Sequence, residues 1–159
     1  MRAESRVLSL WQRFGSSGLG RRFYSCVLTF VAPYTGSIRP LVLQLEPGFC
    51  LVELRDRRAL RNHLNCIHAI ALSNLGELAS ALAMLAGLPK HTKAIVVKLE
   101  IEFLKKVRGR LLAEGHAEVL DMVTVPMTQI VFAEIKDEAG DVVAQMKVHW
   151  QLKPKEISA

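Results

Sequence analysis

The run Arg61-Asn62-His63-Leu64-Asn65-Cys66-Ile67-His68-Ala69 leads without a break into residues 70–86. That second segment reads as one long helix, apolar on every face except at Ser73, Asn74, Glu77 and Ser80. A helix of this kind belongs in an interior. Glu77 is a costly residue to place there, because an ionised carboxylate loses its hydration on burial. Chains tolerate that cost where the carboxylate has partners or a task. Asn62, His63 and His68 supply polar groups just upstream. The stretch therefore reads as an active site assembled around a buried helix.

Working outward, residues 5–14 place Val7, Leu8, Leu10, Trp11 and Phe14 at helical spacing, and residues 19–31 form a second short helix. Pro33, Gly36 and Pro40 make a turn-rich link. Residues 41–46 and 49–55 read as strands joined at Pro47-Gly48. Beyond the helix, which Gly87 and Pro89 end, the pattern alternates. Ile95, Val97, Leu99, Ile101 and Phe103 are expected on one face, with Lys98, Glu100 and Glu102 on the other. Further strands are expected over 111–120, 129–136 and 142–152. Strands around a single helix indicate an α+β fold with an antiparallel sheet. A helix apolar all round cannot lie on a sheet with one side in water, so the sheet should curl around it. Residues 1–36 are expected to form a helical cap on the domain built by residues 37–159.

The chain has 159 residues, half of them hydrophobic and 23% charged, as in one ordinary globular domain. Its net charge of +6 favours anionic partners without choosing among them. Three cysteines, Cys26, Cys50 and Cys66, are too few and too irregular for a disulfide scaffold and fit a reducing, cytoplasmic setting. Arg21-Arg22-Phe23 before an apolar run resembles the start of an export signal. The run is short, Pro33-Tyr34 interrupts it and no small-residue cleavage site follows, so export is not expected. Residues 67–86 are long enough to span a bilayer, but Glu77 lies at their middle and amphipathic strands follow, so a core helix is expected.

The order of elements, with Asn62, then His68-Ala69, then Glu77 on the helix, resembles the hotdog-fold acyl-CoA thioesterases of the phenylacetate-pathway type. More narrowly, Pro33-Tyr34, Ile38-Arg39-Pro40, Arg61-Asn62-His63, His68-Ala69-Ile70-Ala71 and Glu77-Leu78-Ala79 resemble a bacterial branch of that superfamily known only as a domain of unknown function. The narrower likeness covers nearly the whole chain. It implies a hotdog fold, an antiparallel sheet curled around one long buried helix. The chain departs from the family pattern at three places. Ala69-Ile70 replaces a Gly pair, Asn65-Cys66 replaces a Gly-Thr turn, and Val96 stands where some relatives carry Ser.

The resemblance implies hydrolysis of acyl-CoA or acyl-carrier-protein thioesters at a subunit interface, with coenzyme A as part of the substrate and no separate cofactor. Glu77 would be general base or nucleophile; the alternative is a core Glu paired with Arg or with helix neighbours. Asn62 would orient water or the thioester carbonyl, or else serve as a turn residue. The Ala69 backbone amide would donate to the oxyanion, since amides at a helix start are unpaired and lie at the positive dipole end. His68 reads more readily as a bridge between loop and helix than as a base.

Other chemistries fit less well. His63 and Glu77 have the spacing of a hotdog dehydratase pair, but the proline-rich setting of those enzymes is missing. Cys66 with His68 is a conceivable nucleophile pair. The histidines and cysteines show no metal-ligand spacing, so no metal is expected. Arg55, Arg57, Arg58 and Arg61 form one basic cluster; Lys105, Lys106, Arg108 and Arg110 form another. By resemblance, His63, Arg61, Lys105, Lys106 and Arg108 are candidates for contacting substrate, including the coenzyme A phosphates. Neither cluster interleaves aromatics, which argues against nucleic acid. The expected assembly is a dimer or a dimer of dimers, with no nucleic acid and no membrane as partner. The second reading is a non-catalytic acyl- or CoA-binding protein that keeps the fold.

Overall fold

The computed structural model describes residues 5–155. Three helices lead: α1 (Arg6–Phe14), α2 (Gly18–Val31) and the single turn α3 (Pro33–Gly36). Ser5 and Ser17 start the first two, their hydroxyls accepting from the amides of Leu8 and Gly20. The strands β1 (Leu41–Glu46) and β2 (Phe49–Leu54) form the expected hairpin. Its turn needs Gly48, whose φ of 84° lies in the left-handed region. A 3₁₀ turn (Arg58–Leu60) then leads to α4 (Ala69–Gly87), the long apolar helix.

Four more strands follow: β3 (Thr92–Phe103), β4 (Leu111–His116), β5 (Met127–Lys136) and β6 (Val142–Pro154). All six make one sheet in the order β1-β2-β4-β5-β6-β3, antiparallel throughout. The sheet wraps α4, and Leu72, Leu75, Ala79, Leu82 and Ala83 are buried against it. This close fit requires Gly115 on β4, where a Cβ would collide with the Ala79 carbonyl. The α+β hotdog architecture is as the sequence indicates.

Two expectations change. The expected strand over 111–120 stops at His116, and the chain leaves the sheet before β5; the Gln129 side chain holds this crossing by donating to the Glu118 carbonyl at 2.6 Å. The apolar alternation along β3 does not mark one face. A bulge between Val96 and Lys98 shifts the phase. Before it, Ile95 pairs with Gln151 on the outer face. After it, Leu99, Ile101 and Phe103 pair with the inward residues Val148, Met146 and Ala144. Leu99 and Phe103 nevertheless remain exposed, because β3 is the edge strand.

Candidate active site

The turn before α4 is built by its own polar groups. The Asn62 amide donates to the Cys66 carbonyl at 2.8 Å, and Asn62 Oδ1 accepts from the amides of Leu64 at 2.9 Å and Cys66 at 3.2 Å. Asn65 sits at φ 56°, a conformation that Asn tolerates better than most residues. Asn62 thus organises the turn, and its Nδ2 remains as a donor. Cys66 Sγ donates to the Leu64 carbonyl, while His68 Nδ1 accepts from the Ile70 amide at 3.1 Å. Cys66 and His68 are therefore each engaged elsewhere and do not form the nucleophile pair. His68 is the N-cap of α4, and its own amide donates to the Leu60 carbonyl at 2.7 Å. Ala69 follows as the first helical residue. Its N–H has no hydrogen-bond partner among the described residues.

Charge holds this turn to the rest of the fold. Arg61 makes a two-point contact with Asp56 at 2.9 and 3.1 Å and also donates to Asn65 Oδ1 at 3.0 Å. Asp56 accepts in addition from the Gly109 amide, and the Ile67 amide donates to the Val107 carbonyl. The Arg61 guanidinium, above all, holds the Asp56 carboxyl below its usual range. Asp56 was not among the residues singled out from the sequence. It lies inside an arginine-rich run, which was the available signal.

The other basic candidates separate into engaged and free. Lys105 bridges Asp137 and Asp141, each at 2.7 Å. Arg55 and Arg110 share the buried Glu53, and Arg57 donates to the Ser37 carbonyl. Lys106 and His63 are exposed with no partner among the described residues. Arg108 makes a 3.4 Å contact to the Leu64 carbonyl, and its charge helps to lower the Asp56 pKa.

Glu77 stands apart from all of these. It lies in the middle of α4 on its one incompletely covered stripe, with Ile70, Ser73 and Leu85. Its carboxyl has no hydrogen bond or ion pair among the described residues, and burial pushes its pKa above the usual carboxylate value. The alternative of a core Glu paired with Arg is thereby not realised. Glu77 is eight residues beyond Ala69, which is about 12 Å along the helix axis. The Ala69 amide and the Glu77 backbone are therefore well separated within one chain. Val96 lies opposite Trp150 on the inner side of β3. A cleft of about 160 Å³ lined by Tyr34, Arg61, His68, Ile70 and Asn74 opens at the start of α4. A cavity of about 1290 Å³ lies at the other end, between α1, β1 and residues 86–90, and holds none of the candidate site residues.

The architecture matches solved structures over most of its length. The structural-genomics protein APC5556 is 24% identical, with a TM-score of 0.80 over 93% of this chain and 98% of its own. The thioesterase HI1161 from Haemophilus influenzae is 11% identical, with a TM-score of 0.68 over 80% of this chain and 88% of its own. The thioesterase SAV0944 from Staphylococcus aureus, solved as a Q32A mutant, is 14% identical, with a TM-score of 0.66 over 77% of this chain and 99% of its own. At these identities the likeness establishes the fold. No curated protein matches the chain. Residues 20–152, from within α2 almost to the end of β6, match one family throughout, and the chain belongs to that family, the domain of unknown function DUF4442.

Proposed function

We propose that the protein hydrolyses acyl-CoA or acyl-carrier-protein thioesters, at a site completed by two copies of the chain. The observation that carries the reading is the half-buried Glu77 carboxyl, unpartnered and with a raised pKa, on the open stripe of the central helix. Such a group is poised to take a proton. In the reaction, Glu77 removes a proton from water and the oxygen attacks the thioester carbonyl carbon. The carbonyl becomes an oxyanion that accepts from the Ala69 N–H, and collapse breaks the C–S bond. The thiolate leaves with the proton that Glu77 held.

In this reading the Ala69 amide and the Glu77 carboxylate of one site come from different chains, their backbones being about 12 Å apart along one helix. A two-fold axis beside β3 would supply that arrangement twice. His68, as N-cap, fixes the orientation of the amide and acts as a positioning residue. Asn62 Nδ2 is available to the water or the thioester. Lys106 and Arg108 are better placed to meet phosphates than Arg61 and Lys105, whose charges are already paired. The three free cysteines fit a reducing cytoplasm.

The test is thiol release from a panel of short, medium, long and aryl acyl-CoAs. Wild type should release thiol from at least one, and Glu77→Gln should lower kcat by roughly a thousandfold while CoA binding survives. Unchanged turnover in Glu77→Gln would refute the mechanism. The non-catalytic binding reading has its own support: Ile70 is exposed where the resembled thioesterases carry Gly, and Val96 stands where some of them carry Ser. Tight CoA binding without thiol release from any thioester would select it.

A further inference from the structure

A helix that lies on a protein surface normally turns its polar side to water. The second helix, α2, does not. Its inner side carries Tyr24 and Ser25, both buried, and Leu28, half-buried. Its outer side carries Leu19, Phe23, Cys26 and Phe30, spaced four, three and four residues apart and all exposed. Leu19 is 80% exposed and Phe30 86%. Val31 and Tyr34 extend the apolar surface past the helix end. At the other end the Phe14 ring of α1 packs on Phe23 at 4.8 Å, and the Arg13 guanidinium stands 5.5 Å from the Phe14 centroid. Exposed contiguous apolar surface of this kind marks an interaction site.

The charge around the stripe selects the partner. Residues 5–45 contain Arg6, Arg13, Arg21, Arg22 and Arg39 and no acidic residue. Of the 15 acidic residues in the chain, only Glu4 precedes Glu46. Arg13 and Arg22 are exposed beside the stripe, whereas Arg21 is turned inward, its Nε donating to the Gly15 carbonyl. Two stripes packed face to face would set arginines against arginines with no carboxylate on α1 or α2 to meet them. An anionic lipid surface provides both what the side chains need: hydrocarbon for Leu19, Phe23 and Phe30, and negative headgroups for the flanking guanidiniums. We infer that α2 docks the protein, as a peripheral protein, on anionic membrane surfaces. The inference stands on the helix alone and does not depend on the proposed hydrolysis. It departs from the expectation of no membrane partner and takes up one of the anionic partners that the net charge of +6 favours. The stripe ends close to the candidate site, since the Tyr34 carbonyl accepts from Asn74 Nδ2 of α4 at 3.3 Å. Docking would thus bring the mouth of the α4 cleft near the pool in which long-chain acyl groups dissolve.

The test is sedimentation of the full chain with vesicles of phosphatidylcholine alone and of phosphatidylcholine with about one-third phosphatidylglycerol. Binding is expected to the mixed vesicles and to weaken with added salt. Leu19→Ser combined with Phe30→Ser should lower the partition coefficient about tenfold or more, as should Arg13→Gln combined with Arg22→Gln. These side chains touch little of the fold, and an unchanged circular-dichroism melt confirms that the variants are intact. Equal partition of wild type and both variants would overturn the inference, as would no binding to the mixed vesicles. A smaller assembly mass for the Leu19/Phe30 variant by light scattering, without loss of vesicle binding, would instead assign the stripe to self-association.

Discussion

The two edges of the sheet are treated differently. At the β1 edge, α2 lies alongside, and the buried Ser25 hydroxyl accepts from the Val42 amide at 2.9 Å, satisfying a donor that an edge strand would leave open. At the other edge, β3 is twelve residues long and no element among the described residues pairs with its outer side. It carries exposed Ile95, Val97, Leu99 and Phe103. One edge is closed by the chain itself; the other is where the proposed second chain would pack. The unpartnered Glu77 lies on the incompletely covered stripe of α4, and the proposed assembly would bring a second chain to it.

The comparison breaks first at β3. Leu99→Asp together with Phe103→Asp places charge at the proposed contact while leaving the core untouched. The double variant should be monomeric by light scattering, keep its far-ultraviolet spectrum and lose about a thousandfold or more in thiol release. A monomer with full activity would separate the edge from the site. At the covered edge the effect should be on stability instead. Ser25→Ala leaves the Val42 amide buried without its partner and should cost about 1–3 kcal/mol in denaturant unfolding, with the assembly intact.

The smallest expected effect sharpens the role of Glu77. Burial raises its pKa in the folded chain above the unfolded value, so the folded chain holds the proton to higher pH. The stability tied to that proton is full below the ordinary Glu range and is lost as pH rises through the raised pKa. Glu77→Gln should therefore be more stable than wild type by about 1 kcal/mol at mildly alkaline pH. The gap should shrink as pH falls toward the ordinary Glu range. A destabilised Glu77→Gln at alkaline pH would mean that the carboxylate has a stabilising partner.

How much of this was legible in the sequence follows from how local each signal is. The central helix could be read from its composition, and the first hairpin from Pro47-Gly48, because a turn is decided by a few adjacent residues. The β3 bulge could not. Val96-Val97 continues the apolar run on either reading, and only pairing with β6 fixes the phase. The basic clusters failed for a related reason. Arg61 and Lys105 look free in sequence, yet Asp56, Asp137 and Asp141 claim them once the chain closes. Glu77 and the start of α4 were legible because an acid within an apolar helix is anomalous wherever the helix packs. Their separation along one helix was implicit in the residue count.

The central claim is that one site takes the Ala69 amide from one chain and the Glu77 carboxylate from the other. Ala69→Pro removes that N–H at the first helical position, where proline is tolerated, and the extended His68 backbone (φ −67°, ψ 140°) accepts a following proline. Ala69→Pro and Glu77→Gln should each be nearly inactive alone. Unfolded together and refolded as mixed dimers, they should recover about one quarter of wild-type thiol release, since half the dimers would carry one intact site of two. Mixed dimers that form, shown by mass, yet remain inactive would contradict the account.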